Sequence, residues 1–285
     1  MNLAVPANSA SETIRRHTAA DFAAMRKAGQ LAAETLDFIT PHVQPGVTTG
    51  KLNDLCEEFI RAHGATPAPL GYGGFPKATC ISLNEIICHG IPSDTRALTD
   101  KDVLNIDVTV IVDGWYGDSS RMYVAGDFDK LPTRTQQLIT TTHECLMAGI
   151  AVVRPGAHLG DIGAAIEKLA HAQNFSVVEI FCGHGIGQKF HMPPQVMHYG
   201  DVGTGPVLEA GMIFTIEPMI NMGTKDGKEI LAEARHYPDN TIWPYATRDK
   251  KPSAQFEHTI GVTETGCEIF TLSPRGYILP PYEAA

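Results

Sequence analysis

The sequence of 285 residues predicts an α+β fold made of two related halves, one over about 18–130 and one over about 131–280. Two observations predict it. A pair of helical segments followed by strand-like runs occurs twice along the chain. A Pro-Gly turn, a leucine and an acidic residue set in an apolar run also recur at one fixed spacing. Residues 1–17 read as a flexible arm, and 18–285 as a single domain.

The first helix is expected from Thr18 to about Phe38. Thr18 and Asp21 form a capping box, and Phe22, Met25, Ala28, Ala32 and Leu36 recur at helical spacing. The Pro45-Gly46 turn closes that unit. A second helix starts at Thr49 or Gly50 and runs to about His63, where Gly64 stops it. The runs ATCISLN, EIICHGI, VLNIDVTVIVDG and SSRMYVAG read as strands. The pattern then restarts. Helices are expected at about Thr133 to Ala151 and Leu159 to Ala172, with the Pro155-Gly156 turn between them. Strands follow at SVVEIF and MIFTIEPMI.

The two halves are offset by 110 residues (155 − 45). Pro45-Gly46 and Gly50 match Pro155-Gly156 and Gly160, Leu98 matches Leu208, and Ile106-Asp107 matches Ile216-Glu217. Pro-Gly turns alone are common enough to coincide. Carboxylates that obey the same shift make duplication the economical explanation. The expected arrangement is two copies packed face to face with the active site between them.

The composition is that of a folded protein, with 43% hydrophobic and 19% charged residues. A formal net charge of −10 gives no attraction to nucleic-acid phosphates. None of the six cysteines forms a C-x-x-C pair, which points to reduced thiols in a cytoplasmic protein. The opening MNLAVPANSA lacks the features of a signal peptide, and no run approaches the ~20 apolar residues of a membrane span.

Asp107 lies in VLNIDVTVIV and Glu217 in MIFTIEPMI. A carboxylate buried in such a strand must be protonated, paired or bound to metal, and neither strand carries a Lys or Arg. Asp118 follows Asp107 across the DGWYG turn, as in a hairpin. Glu257 lies in the apolar SAQFEHTIGV, and His184 lies between glycines in FCGHGIG, where the backbone can approach closely and expose the ring. Taken singly, Asp118 is a turn residue, Glu257 a strand-edge charge and His184 a structural histidine. Together they offer four negative charges and one neutral nitrogen, a set that balances two divalent cations and suits Mn, Fe, Co or Zn. Paired cations ~3.5–4 Å apart share a water and generate a nucleophile at neutral pH, which points to hydrolysis. No H-E-x-x-H, G-x-S-x-G, dinucleotide fingerprint or phosphate loop is present.

In order along the chain, NIDVTV, GWYGDSSR, CGHGIGQKFH, FTIEPM and SAQFEHT resemble the bacterial-type (type I) methionine aminopeptidases, over roughly residues 18–280. The resemblance implies the pita-bread fold, with pseudo-twofold αβ halves around a central antiparallel sheet. It implies two divalent metal ions held by Asp107, Asp118, His184, Glu217 and Glu257. Asp118 and Glu257 would bridge both, and Glu217 would also carry the proton. His89 in CHGIP resembles the substrate-contacting histidine, and His191 in KFHMPP the one that meets the scissile carbonyl or its oxyanion. Tyr72, Phe75, Cys80, Phe190 and Trp243 resemble the pocket for the methionine side chain.

The substrate so implied is the N-terminal methionine of nascent peptides, held through its free α-amino group. A cytoplasmic monomer with a transient ribosome contact, and no nucleic-acid or membrane partner, accompanies that expectation. The segment between Met222 and Ser253 is longer than usual for the family. The zinc-binding and SH3-ligand extensions of some relatives are absent, as is the long helical insertion of type II enzymes. Three other readings compete. A prolidase or aminopeptidase P would carry a large N-terminal domain. A binding protein that kept the fold would have lost ligands. A purely structural metal site would leave His89 and His191 unexplained.

Overall fold

The structure is a computed structural model and describes residues 13–229 and 244–282. The first half contains α1 (Ala19–Ile39), α2 (Thr49–Ala62), β1 (Thr66–Pro67), β2 (Cys80–Leu83), β3 (Ile86–Cys88), β4 (Val103–Val112) and β5 (Trp115–Val124). The second contains α3 (Thr133–Ala151), α4 (Leu159–Ala172), β6 (Ser176–Val177), β7 (Gly183–Gly185), β8 (Met192–Val196), β9 (Ile213–Ile216) and β10 (Met219–Asn221). It closes with β11 (Gly227–Glu229), β12 (Tyr245–Thr247), β13 (Ser253–Gln255), β14 (Glu257–Val262) and β15 (Cys267–Ile269). Among the described residues no helix is long and apolar enough to cross a membrane.

The helices start where their caps dictate. Thr18 Oγ1 accepts from the Asp21 amide at 3.3 Å, and the Asp21 carboxylate accepts from the Thr18 amide at 2.9 Å, so α1 opens with the expected capping box. α2 and α4 differ by 110 residues at both ends (159 − 49, 172 − 62). The repeat extends to the hydrogen bonds. The Gly46 amide donates to Leu98 O at 2.8 Å, and the Gly156 amide to Leu208 O at 2.9 Å. Gly46 and Gly156 adopt φ of +88° and +87°, a left-handed turn for which glycine is the unstrained residue. The bridges Thr48–Ala97 and His158–Val207 obey the same shift.

A nine-stranded antiparallel sheet runs β1-β4-β5-β14-β9-β7-β8, with β2 beside β4 and β15 beside β14. The halves meet edge to edge, through the pairing of Glu257 and His258 with Ser120 and Ser119, and so share one sheet. The face-to-face packing expected from the duplication is therefore corrected. Hydrogen-bond pairing between the halves satisfies backbone groups that two stacked layers would leave open at their edges.

Alternation along the strands decides what each face carries. Ile106 and Val108 join Leu36, Ile39, Leu52 and Ile60 in the core beneath α1 and α2. Phe214 and Ile216 join Leu138, Ile139, Ile162 and Ile166 beneath α3 and α4. Each such buried side chain contributes about 1.5–3 kcal/mol. Asp107 and Thr109 then point away from the helices. α1 lies so close to β5 that a Cβ on Gly117 would come 2.3 Å from the Ala28 carbonyl carbon.

Other differences from the sequence reading have local causes. MIFTIEPMI is two strands, because Pro218 cannot donate to the ladder and β9 ends at Ile216. SVVEIF contributes only the two residues of β6. The end of the expected arm is docked. His17 is buried, its amide donates to Gly211 O at 2.7 Å, and its ring meets Trp115 edge-on at 5.6 Å.

If the halves are copies of one structural unit, Gly46→Ala and Gly156→Ala should carry matching costs. Neither position has an atom within 4 Å of an added Cβ, so the cost is conformational, about 1 kcal/mol each. Denaturant unfolding of both variants checks this. A loss above about 2 kcal/mol at one site, with none at the other, would contradict the equivalence.

Candidate metal centre

The β4–β5 hairpin supplies two carboxylates. Asp113 and Gly114 turn it with φ of +50° and +80°, as a two-residue turn between twisted strands requires. Its register places Thr109 opposite Asp118 and Asp107 opposite Ser120. Ser120 also pairs with Glu257 on its other side. Asp107, Asp118 and Glu257 therefore project from one face of three adjacent strands.

His184 enters from β7. A Cβ on Gly183 would lie 2.3 Å from Thr215 O, and one on Gly185 2.0 Å from Pro193 O. The two glycines let this strand lie against its neighbours. They do not expose the ring, which is buried, contrary to the sequence expectation. The His184 Nδ1–H donates to Gly185 O at 3.1 Å, which leaves Nε2 as the lone-pair nitrogen. Nε2 lies 3.7 Å from Asp118 Oδ2 and 3.6 Å from Glu217 Oε1. One ligand atom each of Asp118, His184 and Glu257 falls within a mutual 4.8 Å.

Glu217 sits just past the end of β9. Thr215 Oγ1 donates to its Oε1 at 2.9 Å and Gln255 Nε2 to its Oε2 at 3.2 Å. Thr109 Oγ1 likewise donates to Asp118 Oδ1 at 2.7 Å. Hydroxyls and an amide thus aim all three oxygens without neutralising them.

The electrostatics ask for a cation. Burial pushes the Asp118 carboxyl up to about 7. Burial, and then repulsion from Asp118, hold Asp107 and Glu257 well above the usual carboxylate range, and Glu217 follows for the same reasons. No Lys or Arg is among the described residues lining this cleft. The guanidinium of Arg121 is on β5 with opposite parity to Asp118, and it pairs with buried Asp37. A buried salt bridge is therefore not the answer to these carboxylates. Four carboxylates with one neutral imidazole form a hard donor set suited to divalent first-row metals. Burial lowers His184 to about 4, so its nitrogen is unprotonated near neutrality.

His89, His191, Tyr72, Phe75, Cys80 and Phe190 line the same cleft. His89 follows β3 with φ of +56° and meets the Phe181 ring edge-on at 5.4 Å. The His191 ring stacks on Phe190 at 4.2 Å, and its Nδ1 is 2.8 Å from the Tyr72 hydroxyl. Burial drives His89 to about 4. Burial, with His184 and His89 nearby, drives His191 to about 2. Phe75 and Cys80 form a buried apolar wall against which Tyr72 packs. Trp243 lies outside the described residues.

Sequence comparison fits this centre. The methionine aminopeptidase of Rickettsia prowazekii is 57% identical over 270 residues, covering 95% of this chain and 100% of that protein. Residues 23–264 match the profile of metallopeptidase family M24. The chain belongs to metallopeptidase family M24. A crystal structure of methionine aminopeptidase from Rickettsia prowazekii superposes with a TM-score of 0.86 at 56% identity, covering 91% of this chain and 100% of that one. The prolidase from Pyrococcus furiosus shares the fold alone, with a TM-score of 0.68 at 19% identity over 90% of this chain and 65% of that one. The architecture is thus the pita-bread fold of these structures.

Within this M24 cleft some contributors escaped the sequence reading. Thr109 and Thr215 each lie two residues from a carboxylate, the strand period that puts them on its face, and that signal was available. Gln255 and His198 reach Glu217 from other elements, and nothing local marks them. Pro69, Cys88, Phe181, Cys182 and Met219 complete the lining.

Cation binding should reverse the sign of one substitution. Asp118→Asn removes a repelled charge and should raise the melting temperature of the metal-free protein. Mn at about 100 times its Kd should stabilise the wild type by about 2.7 kcal/mol and the variant far less. Thermal melts with and without Mn measure both. Equal stabilisation of the two proteins would contradict the centre.

Proposed function

We propose that this M24 member is a methionine aminopeptidase, which removes the N-terminal methionine of nascent peptides with two divalent cations, Mn, Fe, Co or Zn. One observation carries the reading: the acidic centre and a soft apolar pocket share one cleft that, among the described residues, no Lys or Arg lines.

Asp107, Asp118, His184, Glu217 and Glu257 would hold the cations. Bound there, the cations neutralise the carboxylates and make a water acidic enough to act as nucleophile near neutral pH. The chain's own groups do the rest. Tyr72, Phe75, Cys80 and Phe190 receive the methionine side chain, since a thioether packs well on aromatic rings and sulfur. With the carboxylates neutralised, a free α-amino group, which only the first residue has, would be the group recognised beside them, and this restricts cleavage to the first peptide bond. With the Tyr72 hydroxyl donating to His191 Nδ1, the imidazole carries its proton on Nε2 and offers it to the carbonyl oxygen as charge develops there. Such a donor contributes about 3 kcal/mol to the transition state. His89 contacts the substrate backbone. Glu217, whose carboxylate is aimed by Thr215 and Gln255, carries the proton to the leaving amine.

The chain covers 100% of the Rickettsia aminopeptidase but 65% of the Pyrococcus prolidase, which supports this reading over cleavage before proline. We place the protein in the cytoplasm as a monomer that meets its substrate at the ribosome.

Purified protein, stripped of metal and resupplied with Mn or Co, should release methionine from Met-Ala-Ser and leave Leu-Ala-Ser and Ala-Pro-Ala intact. Asp107→Asn should abolish that release. Cleavage of Ala-Pro-Ala instead would make the protein a prolidase-type enzyme. No cleavage with any metal would refute the catalytic reading. His191→Ala should lower kcat by about 100-fold or more, with KM little changed, which steady-state kinetics on Met-Ala-Ser will measure.

A further inference from the structure

His198 follows β8 and is wholly buried among residues the proposed mechanism does not use. Its Nε2 accepts a hydrogen bond from the Glu217 amide at 3.1 Å. For Nε2 to accept, Nδ1 must carry the ring proton, and that buried N–H meets no partner among the described residues. A fold that tolerates an orphaned donor there gains something at the other nitrogen.

The internal repeat shows what that is. Asp107, the counterpart of Glu217 (217 − 107 = 110), sits mid-ladder between Cys80 of β2 and Ser120 of β5. Strands fix its backbone from both sides. β9 instead ends at Ile216, one residue before Glu217, and Pro218 prevents the ladder from continuing. An imidazole takes the place of the missing strand. It is itself pinned from behind. Gly163 of α4 packs so closely that a Cβ there would lie 2.2 Å from Tyr199 O, and the Gly200 amide lies 3.4 Å from the Glu167 carboxylate of the same helix.

We infer that His198 is a positioning residue, holding the Glu217 peptide at the strand break so that its carboxylate faces the metal centre. The importance of Glu217 rests on the function proposed above, whereas the hydrogen bond is testable without it.

The test uses the full chain. Amide exchange in the metal-free protein is read at Glu217, with Phe214 and Ile260 as controls from the central sheet. His198→Leu should speed exchange at Glu217 by about tenfold or more and leave both controls unchanged. His198→Gln, whose side-chain oxygen reaches about as far as Nε2, should restore protection. On Met-Ala-Ser, His198→Leu should lower kcat by about tenfold with KM within about twofold, and His198→Gln should recover most of that loss. Unchanged protection of Glu217 in His198→Leu would overturn the inference. So would faster exchange at all three amides in both variants, which would mark His198 as core filling. Absence of peptidase activity in the wild type would defeat the proposed function and leave the exchange result to decide this inference alone.

Discussion

Four carboxylates face one cleft that no Lys or Arg among the described residues lines, and the rest of the structure is arranged around that repulsion. Water would screen such a group on a surface. Here burial pushes every one of them toward protonation, and repulsion from Asp118 adds to it at Asp107, Glu217 and Glu257. The hydroxyls of Thr109 and Thr215 and the amide of Gln255 donate to these oxygens without cancelling their charge. Only a cation does that. The fold accepts an unfavourable metal-free site to keep a site that binds divalent metal.

Duplication makes the scaffold for this economical. Each half packs two helices on one side of its strands, so the opposite side is left to the site. The half-site geometry then diverges. The first half delivers Asp107 and Asp118 from an unbroken hairpin, where paired backbone on either side fixes the side chains. The second delivers Glu217 and Glu257 at interruptions, beside Pro218 and after Phe256, where β9 passes to β10 and β13 to β14.

Much of this was legible in the sequence, for identifiable reasons. The helices follow from caps and a 3.6-residue period, and Thr133–Ala151 and Leu159–Ala172 match residue for residue. The 110-residue shift led from the Pro-Gly turns to the paired acids Asp107 and Glu217. Long-range pairing was not legible. No local signal says that Ser120 stands between Asp107 and Glu257, that the halves join edge to edge, or that His184 is buried. His198 was missed for the same reason: it reaches Glu217 across 19 residues by a side-chain to backbone bond, which leaves no periodicity to read.

The most direct test is a crystal of the protein soaked in Mn, with anomalous scattering recorded to locate the metal. The account predicts two peaks per chain between Asp107, Asp118, His184, Glu217 and Glu257. A single peak would contradict the two-cation balance of charge. Absence of any peak at these residues, with Mn bound elsewhere, would contradict the assignment of the cleft as a metal centre.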